Sequence, residues 1–551
     1  MKILKSNILA LSVVAAGALT LGSCSDSFLD VSSKTESTTG NFYKTEGDAW
    51  RALIGCYDGW RRISSNPGVG FYVASTVMSD EAYGGTGAGD GFTYQSIDHF
   101  DISFSPSDMN MYETDWVNYY AAVYRCNELL DRADDIAWLE NTGNRELYLG
   151  EAHALRALCY FDMVRLWGNI PLFLEAINEN REQANPDDVY AAIFADFKFA
   201  AENIPADANL TKADNGRITK YAAEAMAARA YLFYTGYYGK EPEGITKAEV
   251  LNYLNDIVAS HNFELVTAVK DLFPASSLVP LADSSGWNPE LSTYAGEANS
   301  EVILQQKFTP SQDYNGNADS NRWQVMMGMR SINSSPYGKG WGAATTCPAF
   351  VEMFPANDPR REAAIIDLAA EGVTSVADFE NGWKDWREYT GYTCKKYSPI
   401  AFPNGNSASK PDGTGDFQIT NMTNWVIMRY ADVLLMIAEL GDVPAITAQQ
   451  ALDEVRARSG LASIPATKAN VLNERALELA YEGHRYWDLL RQGVDVLAAA
   501  IVAKKGPVTS GGAASTVEYD AEKIRQTKGL SQIPYNQITL ANGTLKQNAG
   551  W

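Results

Sequence analysis

Residues 473–493 carry a helical pattern that anchors the interpretation of the whole chain. One helical stripe, at spacings of four, three and four residues, carries Leu477, Tyr481, His484 and Asp488. The pattern predicts an amphipathic helix that ends at Gly493. Because a buried polar group is costly without a partner, we expect His484 and Asp488 to bond each other or a neighbouring helix. A catalytic pair is less favoured, because no serine or cysteine nucleophile follows at a suitable spacing.

Other stretches with helical patterns of ordinary length occupy both ends of the chain. They are residues 48–62, 115–134, 145–167, 187–203, 219–238, 247–260, 424–439 and 447–459. Alanine-rich faces with aromatic side chains are typical of closely stacked helix pairs, as in tetratricopeptide repeats, although no strict period of about 34 residues is present. We expect Asp162, within an apolar stripe, to pair with Arg165 or Arg229.

The N-terminus has the features of a secretion signal. Lys2 and Lys5 precede an apolar run over residues 8–21, which suits a signal-peptide core better than a membrane-spanning helix of about 20 residues. Small residues and then Cys24 follow, as in a lipobox. We therefore predict a signal peptide at residues 1–23, lipidation of Cys24, and a lipidated tether over residues 24–40 rich in serine, threonine and aspartate.

Four segments, the opening one among them, support a family resemblance. Residues 473–493 contain E-R-A-L-E-L-A-Y-E-G-H-R followed by Y-W-D-L; the others are residues 150–172, residues 455–461 and the closing Q-N-A-G-W at 547–551. Together they resemble the signatures of the SusD/RagB family, and the matches run from Cys24 to Trp551. The resemblance implies an outer-membrane lipoprotein of Gram-negative bacteria that captures nutrients, usually glycans, for a TonB-dependent transporter of the SusC type.

The resemblance and the helical patterns together predict a mainly α, SusD-like fold. In this fold a tetratricopeptide-like helical scaffold, formed by about 41–262 and 424–551, carries an inserted loop-rich lobe at about 263–423. We see no proline- and serine-rich linker and expect residues 41–551 to form a single unit. Glycine, asparagine, serine and proline accumulate in the lobe, and long loops of this kind are often functional.

Charge and cysteine content narrow the possible partners. The formal net charge of −23 argues against nucleic acid as a partner. After Cys24 an odd number of cysteines remains, with no C-x-x-C spacing, so neither a disulfide framework nor a zinc site is predicted. Alternating Asp and Asn at 313–319 form a weak calcium-loop match, because Ala318 and Gln324 replace the expected Gly and Glu. We predict no cofactor and no metal.

Three loop stretches combine aromatic rings with polar side chains, the mixture that stacks on sugar faces and orients sugar hydroxyls. Residues 79–94 are glycine-rich, and there we expect Asp80 and an exposed Tyr83 to bind ligand, although Tyr83 could instead pack under its own loop. Residues 284–294 and 313–323 supply the other candidates, which are Trp287, Asn288, Tyr314 and Trp323. Trp287 and Trp323 could equally anchor their loops. Trp341 and Asp358 lie in family-like stretches and are interpreted as structural.

The favoured function is therefore a non-enzymatic glycan-binding lipoprotein that delivers poly- or oligosaccharide to a SusC-like transporter. A peptide-binding, RagB-like member of the same family is the first alternative. A helical glycoside hydrolase is a weaker one, because no pair of carboxylates is marked by its sequence context. A tetratricopeptide scaffold that binds protein partners is the third. No catalytic residue is predicted.

Overall fold

The computed structural model describes residues 42–65, 68–279, 292–309, 319–330, 336–373, 383–410 and 413–551. Its helices before residue 263 are α1 (Glu46–Ser65), α2 (Phe71–Val77), α3 (Thr93–His99), α4 (Glu113–Asp131), α5 (Asn144–Trp167), α6 (Pro186–Asn203), α7 (Lys220–Tyr238) and α8 (Lys247–Ala259). Helix ends coincide with local stop and start signals. The side chain of Asn185 caps α6 before Pro186, and Thr246 with Glu249 forms a capping box at α8.

Successive N-terminal helices pack against one another as predicted. Helix α1 contacts α4, α4 contacts α5, α5 contacts α6, α6 contacts α7, and α7 contacts α8. Alanines in α7 are almost fully buried, which lets its neighbours approach closely. Asp162 accepts a hydrogen bond from Arg165 at 2.6 Å and one from Tyr119 at 2.9 Å. The predicted mainly α scaffold and the pairing of Asp162 with Arg165 are confirmed.

Short strands and helices make up the middle of the chain. The strands of the described residues are β1 (Ala82–Gly85), β2 (Val302–Gln306), β3 (Met329–Arg330), β4 (Lys339–Gly340), β5 (Ala343–Thr346), β6 (Ile365–Asp367), β7 (Tyr392–Cys394), β8 (Trp425–Arg429), β9 (Gly506–Ser510) and β10 (Ala513–Val517). The antiparallel pairs are β1 with β5, β2 with β8, β6 with β7, and β9 with β10, while β3 and β4 pair in parallel. Short helices here are α9 (Arg322–Met327), α10 (Pro348–Val351) and α11 (Pro359–Ala364).

The remaining helices follow β8 and complete the scaffold. They are α12 (Tyr430–Leu440), α13 (Ala448–Arg458), α14 (Lys468–Glu478), α15 (Arg485–Leu490), α16 (Val494–Ala503), α17 (Ala521–Thr527) and α18 (Tyr535–Leu540). The helix predicted over residues 424–439 is wrong at its start, because residues 425–429 form β8. All five of these residues are buried, so no alternation of buried and exposed side chains marks the strand.

The single helix predicted over residues 473–493 is also wrong. The backbone leaves the helix after Glu478 and re-enters one at Arg485, with φ of 60° at Tyr481 and 77° at Gly483. His484 does not bond the carboxylate of Asp488, which binds Arg475 of the neighbouring helix α14 at 2.7 Å and Arg491 at 2.9 Å. The alternative expectation, a bond to a neighbouring helix, is therefore confirmed for Asp488. Gly493 precedes α16 rather than ending the predicted helix.

Replacing Gly483 tests how closely the chain packs at this break in the helix. A Cβ at Gly483 would lie 2.2 Å from Cδ1 of Tyr72, whereas a Cβ at Gly460, which also has positive φ, would meet nothing within 4 Å. Both replacements by alanine carry the left-handed backbone cost of about 1–2 kcal/mol. We expect Gly483→Ala to lose about 1–3 kcal/mol more than Gly460→Ala through overpacking. Urea unfolding of the two variants measures the difference, and equal losses would contradict the close packing of Gly483 on Tyr72.

A cluster of buried ion pairs, here called the charged core, joins the lobe to the C-terminal helices. Its members are Glu301, Asp358, Arg360, Lys396, Arg429, Arg456, Arg458, Glu474, Glu478 and Glu482. Arg429 lies at its centre, 2.7 Å from Glu301, 2.7 Å from Glu478 and 2.8 Å from Glu482. Burial alone raises the pKa of Glu478, but Arg458, Arg429 and Arg360 hold it well below its usual range. The interpretation of Asp358 as structural is confirmed, because it caps α11 and binds Arg360 at 2.7 Å.

Hydrophobic packing is continuous between the scaffold and most of the lobe. One core cluster includes Ala49 near the start of the described residues and Leu545 near the end. A smaller cluster lies within the lobe around Trp386 and Met329. Across the described ranges, no helix combines the length and the apolar character that crossing a bilayer requires.

Candidate functional site

Tyr83 lies in β1 and not on an exposed loop. Its ring is 1% exposed and its hydroxyl donates a hydrogen bond to the carbonyl of Lys504 at 2.6 Å. Tyr83 is opposite Thr345 of β5 in the antiparallel ladder, and both strands are buried throughout. The expectation that the glycine-rich stretch exposes this ring is therefore wrong. The buried ring leaves no face for stacking on a sugar.

Asp80 precedes β1, and its carboxylate is bound by an arginine side chain. Its carboxylate accepts two hydrogen bonds from Arg485, each of 2.7 Å, and its side chain is 13% exposed. This bidentate pair fixes the start of α15 against the segment before β1. A contact between Asp80 and a ligand stays a prediction.

The structure places Trp323 in the core rather than at the surface. Trp323 is 1% exposed and its ring centroid lies 4.2 Å from that of Tyr72 and 4.7 Å from that of Trp425. The prediction that Trp323 is an exposed stacking platform is wrong. The alternative, that it anchors its loop, agrees with this packing. Trp287, Asn288 and Tyr314 lie outside the described residues, and their ligand contacts stay predictions.

Residues 86–92, here called the glycine loop, connect β1 to α3. Arg387 reaches this loop from the lobe and is 6% exposed. Its guanidinium donates to the carbonyls of Ala88 at 3.1 Å, Asp90 at 2.9 Å and Gly91 at 2.9 Å. Because the planar guanidinium has five fixed N–H donors, one side chain can hold several loop carbonyls at once. The glycine loop is therefore held in one shape before any ligand arrives.

A cavity of about 350 Å³, here called the Trp341 cavity, opens beside the glycine loop. Its lining consists of Thr86, Asp90, Gly91, Thr93, Tyr94, Met326, Arg330, Trp341 and Ala343. Trp341 is half-buried and its Nε1 donates to Oε1 of Gln418 at 3.3 Å. The half-buried Tyr94 donates its hydroxyl hydrogen to the carbonyl of Val69 at 2.9 Å. Both rings are therefore fixed in orientation by their polar ends.

Charged side chains at the Trp341 cavity are held in place by one another. Arg330 donates to Asp385 at 2.9 Å and to Asp90 at 3.3 Å. Asp90 also accepts the backbone N–H of Gly87 at 2.8 Å, and its side chain is 45% exposed. Since a carboxylate has about four acceptor positions, Asp90 can still accept hydrogen bonds from a hydroxyl-bearing ligand.

Glu388 binds residues on either side of the glycine loop. Its carboxylate accepts the N–H of Gly85 at 2.8 Å and the amide of Gln95 at 3.0 Å. Burial, with a smaller effect of Asp98, raises the pKa of Glu388 to about 7. Glu388 does not line the Trp341 cavity. Within the part of the chain that the structure describes, no group of three or more His, Cys, Asp or Glu side chains is arranged to hold a metal ion.

Family models match two long segments of the chain. The model described as "SusD family" matches residues 300–551, and the model described as "Starch-binding associating with outer membrane" matches residues 68–232. The chain is a SusD-like family member. The second match includes the glycine loop and the first includes Trp341.

Relatives and solved structures of similar length agree with this assignment. SusD-like protein P38 of Formosa agariphila is 25% identical over 86% of this chain and 88% of its own length. A laminarin binding SusD-like protein has a TM-score of 0.70 at 25% identity, and surface glycan-binding protein A from Bacteroides fluxus has 0.72 at 25% identity. Each comparison covers 92% of this chain and 100% of the solved one. The predicted SusD-like fold is confirmed.

Trp341, which the sequence analysis interprets as structural, lines the Trp341 cavity of this SusD-like protein. A usable signal was present in its flanking glycines. A Cβ at Gly340 would lie 2.3 Å from the carbonyl of Val325, and Gly342 has φ of 76° and would place a Cβ 2.8 Å from Nε1 of Trp386. Where both neighbours of a tryptophan must be glycine, the backbone on each side of the ring packs too closely for any other side chain. Tyr94 ends the glycine-rich stretch 79–94, in which the sequence pattern pointed to Tyr83.

Arg387→Lys tests whether the glycine loop of this SusD-like protein is held from the lobe. Lysine keeps the charge but cannot donate to three separated carbonyls. Loss of a hydrogen bond from a charged donor costs about 1.5–3 kcal/mol, so amide exchange of residues 86–92 should accelerate at least about tenfold. Hydrogen exchange with mass spectrometry measures this. Arg361→Lys, at a half-exposed pair 3.4 Å from Asp367, is the control and should leave the loop unchanged. Unchanged exchange in Arg387→Lys would contradict the assigned role.

Proposed function

We propose that this protein is a cell-surface glycan-binding lipoprotein that captures poly- or oligosaccharide without catalysis. The observation that carries the proposal is the Trp341 cavity, where the oriented rings of Trp341 and Tyr94 lie beside Asp90 and Arg330. Flat rings bury the C–H faces of sugars, and charged hydrogen-bonding groups orient the hydroxyls. This combination provides both parts of carbohydrate recognition in one concave surface.

The small number of carboxylates at the Trp341 cavity favours glycan capture over glycan hydrolysis. Glycosidases use two carboxyl groups that flank the scissile bond. Among the described residues that line the Trp341 cavity, Asp90 is the only carboxylate, and it is bound to Arg330 and the Gly87 N–H. The described lining of the Trp341 cavity therefore lacks the second carboxyl group that a glycosidase needs. Stacking and hydrogen bonding are sufficient for binding and need no proton transfer.

The relatives support the same class of ligand. One similar solved structure is named as laminarin binding and another as a surface glycan-binding protein. The family model over residues 68–232 is described as starch-binding and associating with the outer membrane. We propose that lipid on Cys24 anchors the chain in the outer membrane and that residues 24–40 tether it there. Delivery of the glycan to a TonB-dependent SusC-like transporter completes the proposed role.

Affinity electrophoresis tests glycan capture. The full chain, purified in detergent, is run through gels that contain plant, microbial or host polysaccharides, and reducing-sugar release is assayed in parallel. We expect at least one polysaccharide to retard the protein with no sugar released. Retardation by no member of the panel would contradict glycan capture and favour the peptide-binding alternative. Sugar release would contradict the non-enzymatic role. Co-purification of the protein with a TonB-dependent transporter from its native outer membrane tests delivery.

A further inference from the structure

We infer that a second carbohydrate-binding cleft, formed by Phe92, Phe104 and the β9–β10 hairpin, borders the same glycine loop. The protein would then bind an extended glycan chain through two neighbouring surfaces. This inference rests on the proposed glycan capture and names the kind of ligand, a chain of several sugar residues. The cleft is a cavity of about 650 Å³, and none of the described residues that line it also lines the Trp341 cavity.

Two exposed aromatic rings line this second cleft. Phe92 is 46% exposed and Phe104 is 41% exposed, and both face the same cavity. Each ring is supported by a planar group. The guanidinium carbon of Arg387 lies 3.9 Å from the centroid of Phe92, and His99 stacks on Phe104 at 4.2 Å with an interplanar angle of 23°. Large apolar rings in contact with water that are held rigidly beside a cavity mark a binding surface.

Polar groups complete the second cleft on the side of the hairpin. Ser515 and Thr516 of β10 and the following Glu518 are exposed and line the cavity. The hydroxyls of Ser515 and Thr516 can donate hydrogen bonds to sugar hydroxyls or accept them, and the carboxylate of Glu518 can accept them. Aromatic faces and polar side chains therefore occur together here, as they do in the Trp341 cavity.

Neighbouring residues of the glycine loop line different cavities, so the two sites lie on either side of the same short loop. Asp90 and Gly91 line the Trp341 cavity, whereas Ala88 and Phe92 line the second cleft. Arg387 holds the carbonyls of Ala88 and Asp90 through the same nitrogen, at 3.1 and 2.9 Å. Because successive Cα atoms are about 3.8 Å apart, the two clefts lie within reach of one oligosaccharide. Binding at one cleft then raises the effective concentration of the next sugars at the other.

The length dependence of binding tests the inference. Oligosaccharides from disaccharide to octasaccharide, prepared from the polysaccharide that retards the protein, are titrated calorimetrically into the full chain in detergent. We expect affinity to rise with length in the natural protein. Phe92→Ala should weaken binding of the longest oligosaccharides about tenfold and leave binding of the shortest unchanged, because only the longest would reach the ring of Phe92. Phe92→Trp, which keeps a ring, should retain the length dependence.

Several outcomes would overturn the inference. Affinity that does not change with length, together with no effect of Phe92→Ala or Phe104→Ala in folded protein, contradicts the second cleft and leaves glycan capture intact. Retardation by no polysaccharide contradicts glycan capture itself. Glu388 and Glu518 both line the second cleft, so sugar release that is lost in Glu388→Gln would assign the cleft to hydrolysis instead. Binding of extended peptides in place of sugars would assign it to the edge of β10.

Discussion

Replacing Arg429 by methionine should lower the free energy of unfolding by about 3–5 kcal/mol, the loss typical of a broken buried ion pair. Arg429 is 1% exposed and contacts Glu301, Glu478 and Glu482 within 2.8 Å. Methionine fills a similar volume but leaves three carboxylates with fewer cationic partners in a dry environment. The attraction that balanced their desolvation is then lost.

Urea unfolding followed by tryptophan fluorescence measures this loss. Arg132→Met is the matched control, because Arg132 lies 3.4 Å from Asp135 and both side chains are about half exposed, at 47% and 48%. Surface pairs of this kind contribute about 0–1 kcal/mol. Arg429→Lys should fall between the two, since lysine keeps the charge but loses the fork of donors. Equal unfolding midpoints for Arg429→Met and Arg132→Met would show that the charged core does not hold the lobe and the scaffold together.

Trp341→Ala should weaken glycan binding roughly 30-fold, which corresponds to about 2 kcal/mol, a typical cost of removing a central aromatic side chain from a binding site. Trp341 presents a half-buried ring to the Trp341 cavity, and its Nε1 is held by Gln418 at 3.3 Å. Alanine removes the stacking surface and the fixed orientation together, while Asp90 and Arg330 remain.

Calorimetric titration with the polysaccharide that retards the natural protein measures the change. Trp50→Ala is a matched control, because Trp50 is a 37% exposed tryptophan with Arg217 at 4.9 Å from its ring, as Arg322 is from Trp341, and it does not line the cavity. Trp50→Ala should bind with unchanged affinity. Equal affinities for Trp341→Ala and the natural protein would move the binding surface elsewhere, first to the second cleft and then to the candidates Trp287 and Tyr314.

Helices of the N-terminal scaffold were predictable because local signals and periodicity agree there. The predicted range 187–203 and the observed Pro186–Asn203 differ by one residue, since an Asn cap and a proline mark the start. Periodicity failed where burial is complete. In β8 all residues face the interior on both sides, and in residues 479–484 long-range bonds to Glu482 and Tyr481 replace the helical pattern. Such contacts depend on distant residues and leave no local periodicity.

The candidate site was predictable as a region but not as a set of side chains. The glycine-rich stretch does border two cavities, as its composition indicated. Strand pairing with β5 buries Tyr83, whereas Phe92 lies beyond the strand and is exposed. The partners that complete the site, Trp341 and Arg387, lie about 250 and 300 residues further along the chain and were not connected to the loop by any local motif.

The charged core also has a consequence for the order of assembly during synthesis. Arg429 pairs with Glu301 and with two carboxylates beyond residue 477. The first of its partners is therefore synthesised long before the last. A growing chain that ends before Glu478 holds ionised groups without their counter-ions, and these groups stay hydrated. The N-terminal helix pairs rely on near neighbours and can form early. Docking of the lobe must therefore wait until nearly the entire polypeptide has emerged, which makes the C-terminal quarter the step that completes folding.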